Sequence, residues 1–169
     1  SHLFPWAQGA RLRMDPRGFQ YEDFEVGMSW KTAARTIGEG DVAAFAGLTG
    51  DYTYLHTDAE GAANSFFGER IAHGLLGLSI LTGLLTRLGI LERTIEAFLG
   101  LDWSFRRAIR FGDTVHGTVE VQDMRISNKG KGLVTYFLCL QNQSGDTVQD
   151  GTFTIMVERK ETGEEDGAQ

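Results

Sequence analysis

Cysteine is nearly absent from this 169-residue chain: Cys139 alone excludes an internal disulfide framework and suits a reducing compartment. Proline is almost as scarce. Pro5 and Pro16 both lie near the start, no Pro-rich linker divides the chain, and its length fits one domain. Positive charge is in deficit, 16 Lys and Arg against 23 Asp and Glu, giving a net charge of −7 that argues against a broad basic face for nucleic acid. The four histidines (His2, His56, His73, His116) and the lone cysteine show no close ligand spacing, so no metal is expected. No apolar stretch precedes a small-residue cleavage site near the start, and the cytosol is the expected address.

Glycine and hydrophobic residues are plentiful: 22 glycines point to many backbone turns, and a 41% hydrophobic content can build a core. The longest apolar run, Ile71 to Ile90, has about the length of a bilayer span. His73, Arg87 and four glycines interrupt it, no second span exists, and its flanks carry no positive bias. It is expected to be a buried helix wrapped by protein, with no membrane span.

Residues 1–20 lack periodicity and read as an arm or tail, whereas residues 159–169 are polar and acidic, a solvated tail. Between them, 21–158 reads as one domain. Met28–Ile37 looks extended, and Glu39–Leu48, with Val42, Phe45, Ala46 and Leu48, looks like a short amphipathic helix. Thr49–Asp58 is turn-like, a short helix is expected over 59–64, and the long apolar helix over about His73–Leu88. Four β-type runs follow: Phe98–Arg107, Thr114–Ile126, Leu133–Gln141 and Val148–Glu158. In the second, Val115, Gly117, Val119 and Val121 share one face. Turn residues at 128–132 and 142–146 join neighbours antiparallel. One greasy helix followed by four strands predicts an α+β fold, a curved antiparallel sheet wrapped around a long central helix, which is the hot-dog layout.

Three constellations could carry chemistry. Asp51 and His56 stand five residues apart in a loop, which can turn both side chains into one pocket; a carboxylate and an imidazole can divide acid and base roles. Alternatively, Asp51 caps the following turn and His56 starts a helix. Gly74, in the first turn of the apolar helix, leaves a backbone N–H at the positive end of the helix dipole, placed to polarise a carbonyl. Alternatively, it merely lets the helix pack closely on the sheet. Thr82, eight residues further on, either holds a buried carboxylate or bonds back to its own helix.

In order along the chain stand Thr49-Gly50-Asp51-Tyr52-Thr53-Tyr54-Leu55-His56, Ile71-Ala72-His73-Gly74-Leu75, and Phe105 to Val115 with its Gly112-Asp113 pair. Over about residues 21–158 the sequence resembles the MaoC-like family, which includes R-specific enoyl-CoA hydratases. The resemblance implies a hot-dog fold that pairs through its sheet edges into a homodimer or a multiple of dimers. It implies Asp51 and His56 as the catalytic pair, Gly74 as the N–H that holds a thioester oxygen, and Tyr54, His73 and Thr82 near the substrate. The implied substrate is an acyl-CoA or another pantetheine thioester, CoA being part of the substrate, and no cofactor is needed. Thr53, Tyr54 and Ala108 depart from the family's Asn, Pro and Pro, removing a side-chain anchor and a fixed φ from the loop.

The function these features imply is reversible hydration of a 2-enoyl-CoA to a 3-hydroxyacyl-CoA, a carbon–oxygen lyase reaction. The alternatives are the same chemistry on a branched or dicarboxylic (mesaconyl-type) acyl-CoA, a hot-dog thioesterase, and a non-catalytic acyl-binding hot-dog module. Release of free thiol from acyl-CoAs would mark the thioesterase. Arg106, Arg107, Arg110, Lys129 and Lys131 are the candidate contacts for the CoA phosphates.

Overall fold

The structure, a computed structural model, describes residues 17–161. Its longest strands are those whose alternation is clearest in the sequence. β4 (Thr114–Ile126) buries Val115, Gly117, Val119 and Val121 on one face, as the pattern predicts, until a bulge between Val121 and Asp123 resets the alternation. β5 (Gly132–Gln141) and β6 (Thr147–Val157) continue the antiparallel sheet, and β3 (Ile95–Phe105) completes it beyond β6. The spatial order is β1-β4-β5-β6-β3, with β1 covering Ser29–Lys31.

The extended segment expected over Met28–Ile37 is two short strands, β1 and β2 (Arg35–Thr36), both paired to β4. Thr32 is the reason for the break. Its hydroxyl accepts the Gly117 N–H at 2.8 Å, taking the place of a backbone partner, and then donates to the Ala33 carbonyl.

The long helix is α4, Gly74–Thr86, with Leu76, Gly77, Ile80, Leu81 and Leu84 buried against the sheet. It approaches β4 so closely that a Cβ on Gly117 would lie 2.4 Å from Leu81 Cδ1, so a larger residue there would force the Leu81 side chain to move. Among the described residues, no helix is long and apolar enough to cross a membrane. The layout is the hot-dog expected: a curved antiparallel sheet around one apolar helix.

α1 (Glu39–Thr49), α2 (Tyr54–Thr57) and α3 (Ala59–Ala63) lie between β2 and α4. α1 buries Val42 and Ala46, but Leu48 is 84% exposed, because it sits about 200° around the helix from Ala46. α2 occupies the stretch expected to be only turn-like.

At the ends, part of each expected tail is docked. Gly18 and Phe19 donate their N–H groups to the Glu92 and Ile90 carbonyls, and the Phe19 ring packs on Phe24 and Trp30. Arg159 pairs with Glu22 and Lys160 with Asp23. Residues 1–16 and 162–169 lie outside the described residues.

Candidate active site

The site is built on the turn that leaves α1. Gly50 ends the helix in the left-handed region (φ 77°), its N–H donating to the Ala46 carbonyl. Asp51 then folds the chain locally: its Oδ1 accepts both the Thr53 N–H (3.1 Å) and the Thr53 hydroxyl (2.6 Å). The turn-forming reading of Asp51 and the catalytic one are thus compatible, since Oδ2 is left over. Hydrogen bonds from the Thr53 hydroxyl and N–H hold the exposed Asp51 carboxyl below its ordinary range; proximity to His73 and His56 adds to this, and slight desolvation opposes it. Thr53 therefore supplies the anchor that its departure from the family's asparagine was expected to remove.

The two histidines are fixed by backbone carbonyls. His56 Nδ1 lies 2.7 Å from the Ile71 carbonyl and His73 Nε2 lies 2.9 Å from the Asp51 carbonyl. A carbonyl only accepts, so each of these nitrogens carries the hydrogen. In the neutral rings His56 Nε2 and His73 Nδ1 keep their lone pairs. The rings stack at 3.9 Å between centroids, and the Phe45 ring meets His73 edge-on at 4.9 Å. One ligand-type atom from each of Asp51, His56 and His73 falls within 4.8 Å of the others. No such grouping shows in the spacing on which the expectation of no metal rested; folding alone assembles it.

Gly74 is the first residue of α4, and its N–H has no acceptor among the described residues. A Cβ here would lie 2.7 Å from Phe105 Cδ1, so the helix start is also a close contact with β3. His56, Gly74, Leu75, Phe105, Arg107 and Gln149 line a cleft of about 570 Å³ at this helix start. The sequence profile of the MaoC like domain matches residues 23–141, most of the chain.

The chain belongs to the MaoC-like family.

It is 33% identical to an (R)-specific enoyl-CoA hydratase of Rhodospirillum rubrum, over 81% of this chain and 90% of that protein. It is 36% identical to "Protein MaoC" of Klebsiella aerogenes over 65% of this chain, but spans only 33% of that longer protein. Among solved structures, a MaoC-like dehydratase from Rhodospirillum rubrum superposes with a TM-score of 0.78 at 30% identity, covering 85% of this chain and 99% of that one.

Within this MaoC-like domain, His56 and Gly74 line one cleft, and the Asp51 carboxylate lies beside His56. The three residues expected near the substrate do not join them as expected. His73 is 2% exposed, stacks on His56 and bonds to the Asp51 carbonyl, and its buried Nδ1 has no partner among the described residues. Tyr54 is half-exposed, leans against Gly61 of α3 and does not line the cleft. Thr82 donates to the Ser79 carbonyl at 2.6 Å, the back-bonding alternative, and lies about 12 Å along the axis from Gly74. It lines a separate apolar cavity near the C-terminal end of α4.

Of the five candidate phosphate contacts, Lys129 and Lys131 sit at the β4–β5 turn, on the far end of β4 from Arg110, and Lys131 pairs with Glu96. Arg106 pairs with Asp150 and Arg110 with Glu69. Arg107 is the member of the arginine trio whose side chain has no ion pair among the described residues, and it is exposed on the cleft rim. Sequence reasoning missed Gln149, which is 1% exposed and bonds to the Gly74 carbonyl. A polar residue in an inward position of a strand was the available signal.

Proposed function

We propose that this domain adds water reversibly to a 2-enoyl-CoA, giving an (R)-3-hydroxyacyl-CoA, with Asp51 and His56 as the catalytic pair. The observation that carries the proposal is the convergence of the Asp51 carboxylate and the His56 ring, with ligand-type atoms within 4.8 Å, and the cleft that His56 shares with the unengaged Gly74 N–H. The proposal places one water between the pair, hydrogen-bonded to both at about 2.8 Å. The thioester oxygen accepts from Gly74 N–H, which withdraws electrons from C3 and stabilises the enolate as it develops. His56 Nε2 takes a proton from the water while its oxygen bonds to C3. The ionised Asp51 accepts the water's other hydrogen and orients it. The proton then passes from His56 to C2, so the pair ends as it began and no cofactor is consumed. The (R) outcome follows the named activity of the Rhodospirillum rubrum relative.

Arg107 is the residue placed to meet a CoA phosphate, and Arg107→Ala is expected to raise KM with little change in kcat. A second copy of the chain is the proposed partner. β3 is an 11-residue edge strand with Ile95, Phe98, Leu99, Leu101 and Phe105 exposed, and pairing covers such an edge. A monomer mass by light scattering at micromolar concentration would remove the dimer from this reading.

The deciding experiment follows loss of the conjugated thioester absorbance with crotonyl-, hexenoyl- and mesaconyl-CoA, with chiral analysis of the product. Hydration to the (R) alcohol supports the proposal. Release of free CoA thiol without hydration would reassign the site to thioester hydrolysis, and inertness across the panel would favour a binding module.

A further inference from the structure

Gln149 projects from β6 toward the start of α4, flanked in the sheet by Phe105 and Leu140. Its amide makes two hydrogen bonds. Nε2 donates to the Gly74 carbonyl at 2.9 Å, and Oε1 accepts the Trp103 indole N–H at 3.0 Å. These partners settle which way the amide faces: an indole only donates and a carbonyl only accepts. Glutamate has no donor when ionised, lysine and arginine have no acceptor, and an aliphatic side chain has neither. A neutral primary amide is therefore the group that can bridge them at this reach.

The fold makes room for the bridge. A Cβ on Gly77 would stand 2.5 Å from Gln149 Nε2, so the absence of a side chain one turn into the helix opens the path to the Gly74 carbonyl. With Gln149 1% exposed, water does not compete for these bonds.

The carbonyl that Gln149 grips belongs to the same peptide group as the Leu75 N–H. The preceding peptide, which carries the Gly74 N–H, is held at its own oxygen, the His73 carbonyl, by the Leu76 N–H (3.1 Å) and the Gly77 N–H (3.3 Å). The peptide that carries the Gly74 N–H and the one that follows it are thus both held at their oxygens. Donation into a peptide oxygen also polarises that peptide, strengthening its N–H as a donor.

We propose that Gln149, oriented by Trp103, is a positioning residue for the thioester oxygen: it locks and polarises the first turn of α4 so that its amides are aimed at charge developing in the cleft. This rests on the hydratase reading for its kinetic consequence, but its structural core can be tested without any activity.

The kinetic arm uses the enoyl-CoA that the wild type hydrates. Gln149→Met keeps the approximate volume and removes both bonds; kcat is expected to fall about tenfold, the equivalent of one hydrogen bond, with KM within about twofold. Gln149→Glu separates the two bonds. Ionised, it still accepts from Trp103 but cannot donate to Gly74; protonated, it regains a donor, and burial raises the pH at which this happens. Its kcat relative to wild type should therefore rise as pH falls, which a merely structural role would not produce. A wild-type kcat in folded Gln149→Met, or a flat ratio for Gln149→Glu, overturns the proposal.

The second arm is the amide NMR spectrum of the wild type, Gln149→Met and Trp103→Phe. The Leu75 amide proton should shift upfield when Gln149 is replaced, and to a lesser degree when only the indole is lost. An unmoved Leu75 resonance in folded variants overturns the proposal whatever the kinetics show. Should Gln149→Met not fold, Trp103→Phe decides. A wild type inert on every enoyl thioester would instead defeat the hydratase reading, leaving the Leu75 resonance to decide the role of Gln149.

Discussion

The two ends of α4 arise from one apolar run yet do different work. At the N-terminal end, polar groups converge: Gln149 on the Gly74 carbonyl, His73 on the Asp51 carbonyl and His56 on the Ile71 carbonyl, while the buried His73 Nδ1 and the Gly74 N–H have no partner among the described residues. At the C-terminal end, Leu85, Ile90, Trp30, Phe98 and Phe153 surround a cavity of about 290 Å³ whose wall also holds Thr82, Thr86, Glu92 and Arg93. Its deeply buried polar group, the Tyr136 hydroxyl, has no partner among the described residues, and burial pushes its ionisation far above the ordinary range. The difference teaches that hydrophobicity placed the helix, while the unpaired N–H groups of its first turn gave one end a chemistry the other cannot have.

Six substitutions break or sharpen this contrast. The largest effect belongs to the reactive end: Asp51→Asn and His56→Ala should each lower kcat by about 10²–10⁴-fold on a hydrated substrate, and the double variant should be little worse. Thr82→Val, at the other end, should change kcat by less than about twofold; steady-state assays of all four proteins make the comparison. A large loss in Thr82→Val would show that the two ends act together.

Next comes packing. Leu81 is fully buried against Gly117, and Leu81→Ala should cost about 2–5 kcal/mol in denaturant unfolding while leaving turnover per folded molecule unchanged. A smaller effect of opposite sign is expected at Tyr136. Removing its unpartnered hydroxyl in Tyr136→Phe should raise the melting temperature by about 2–4 °C, the equivalent of about 1 kcal/mol in a domain of this size. A fall instead would mean that the hydroxyl has a partner in solution.

The subtlest change is a displaced pH profile. Asp51 must be ionised to act, and the Thr53 hydroxyl helps keep its pKa low. Thr53→Val removes that bond, so the Asp51 carboxyl should titrate at higher pH, which its NMR chemical shift followed against pH reads directly. An unmoved Asp51 titration would detach Thr53 from it.

Much of this was legible in the sequence, for identifiable reasons. The alternation of Val115, Gly117, Val119 and Val121 is a period-2 signal that only one burial pattern satisfies, and β4 follows it. Gly74 at the head of an apolar run was readable as a helix start because the flanking residues change character there. Asp51 and His56 were readable because a short loop keeps neighbours in sequence near in space. What could not be read was anything set by register between distant segments. Gln149 reaches Gly74 across 75 residues, and His73 reaches Asp51 across 22, so neither leaves a local trace. The same limit explains Thr82: counting residues along a helix gives its axial distance, but not which cavity its side chain lines.

The strand order carries a consequence for how the chain comes into being. β3 is synthesised directly after α4, yet its neighbour in the sheet is β6, the last strand made. Between the end of β3 and the end of β6 lie about fifty residues, roughly 3–10 s of translation at about 5–20 residues per second. During that interval the apolar faces of α4 and β3 have been made but the strand that joins β3 to the sheet has not. Nascent chains of this domain are therefore expected to depend on chaperones until β6 emerges, and a chain stopped at the β5–β6 turn should carry the whole helix and loop of the candidate site without being able to close the sheet around them.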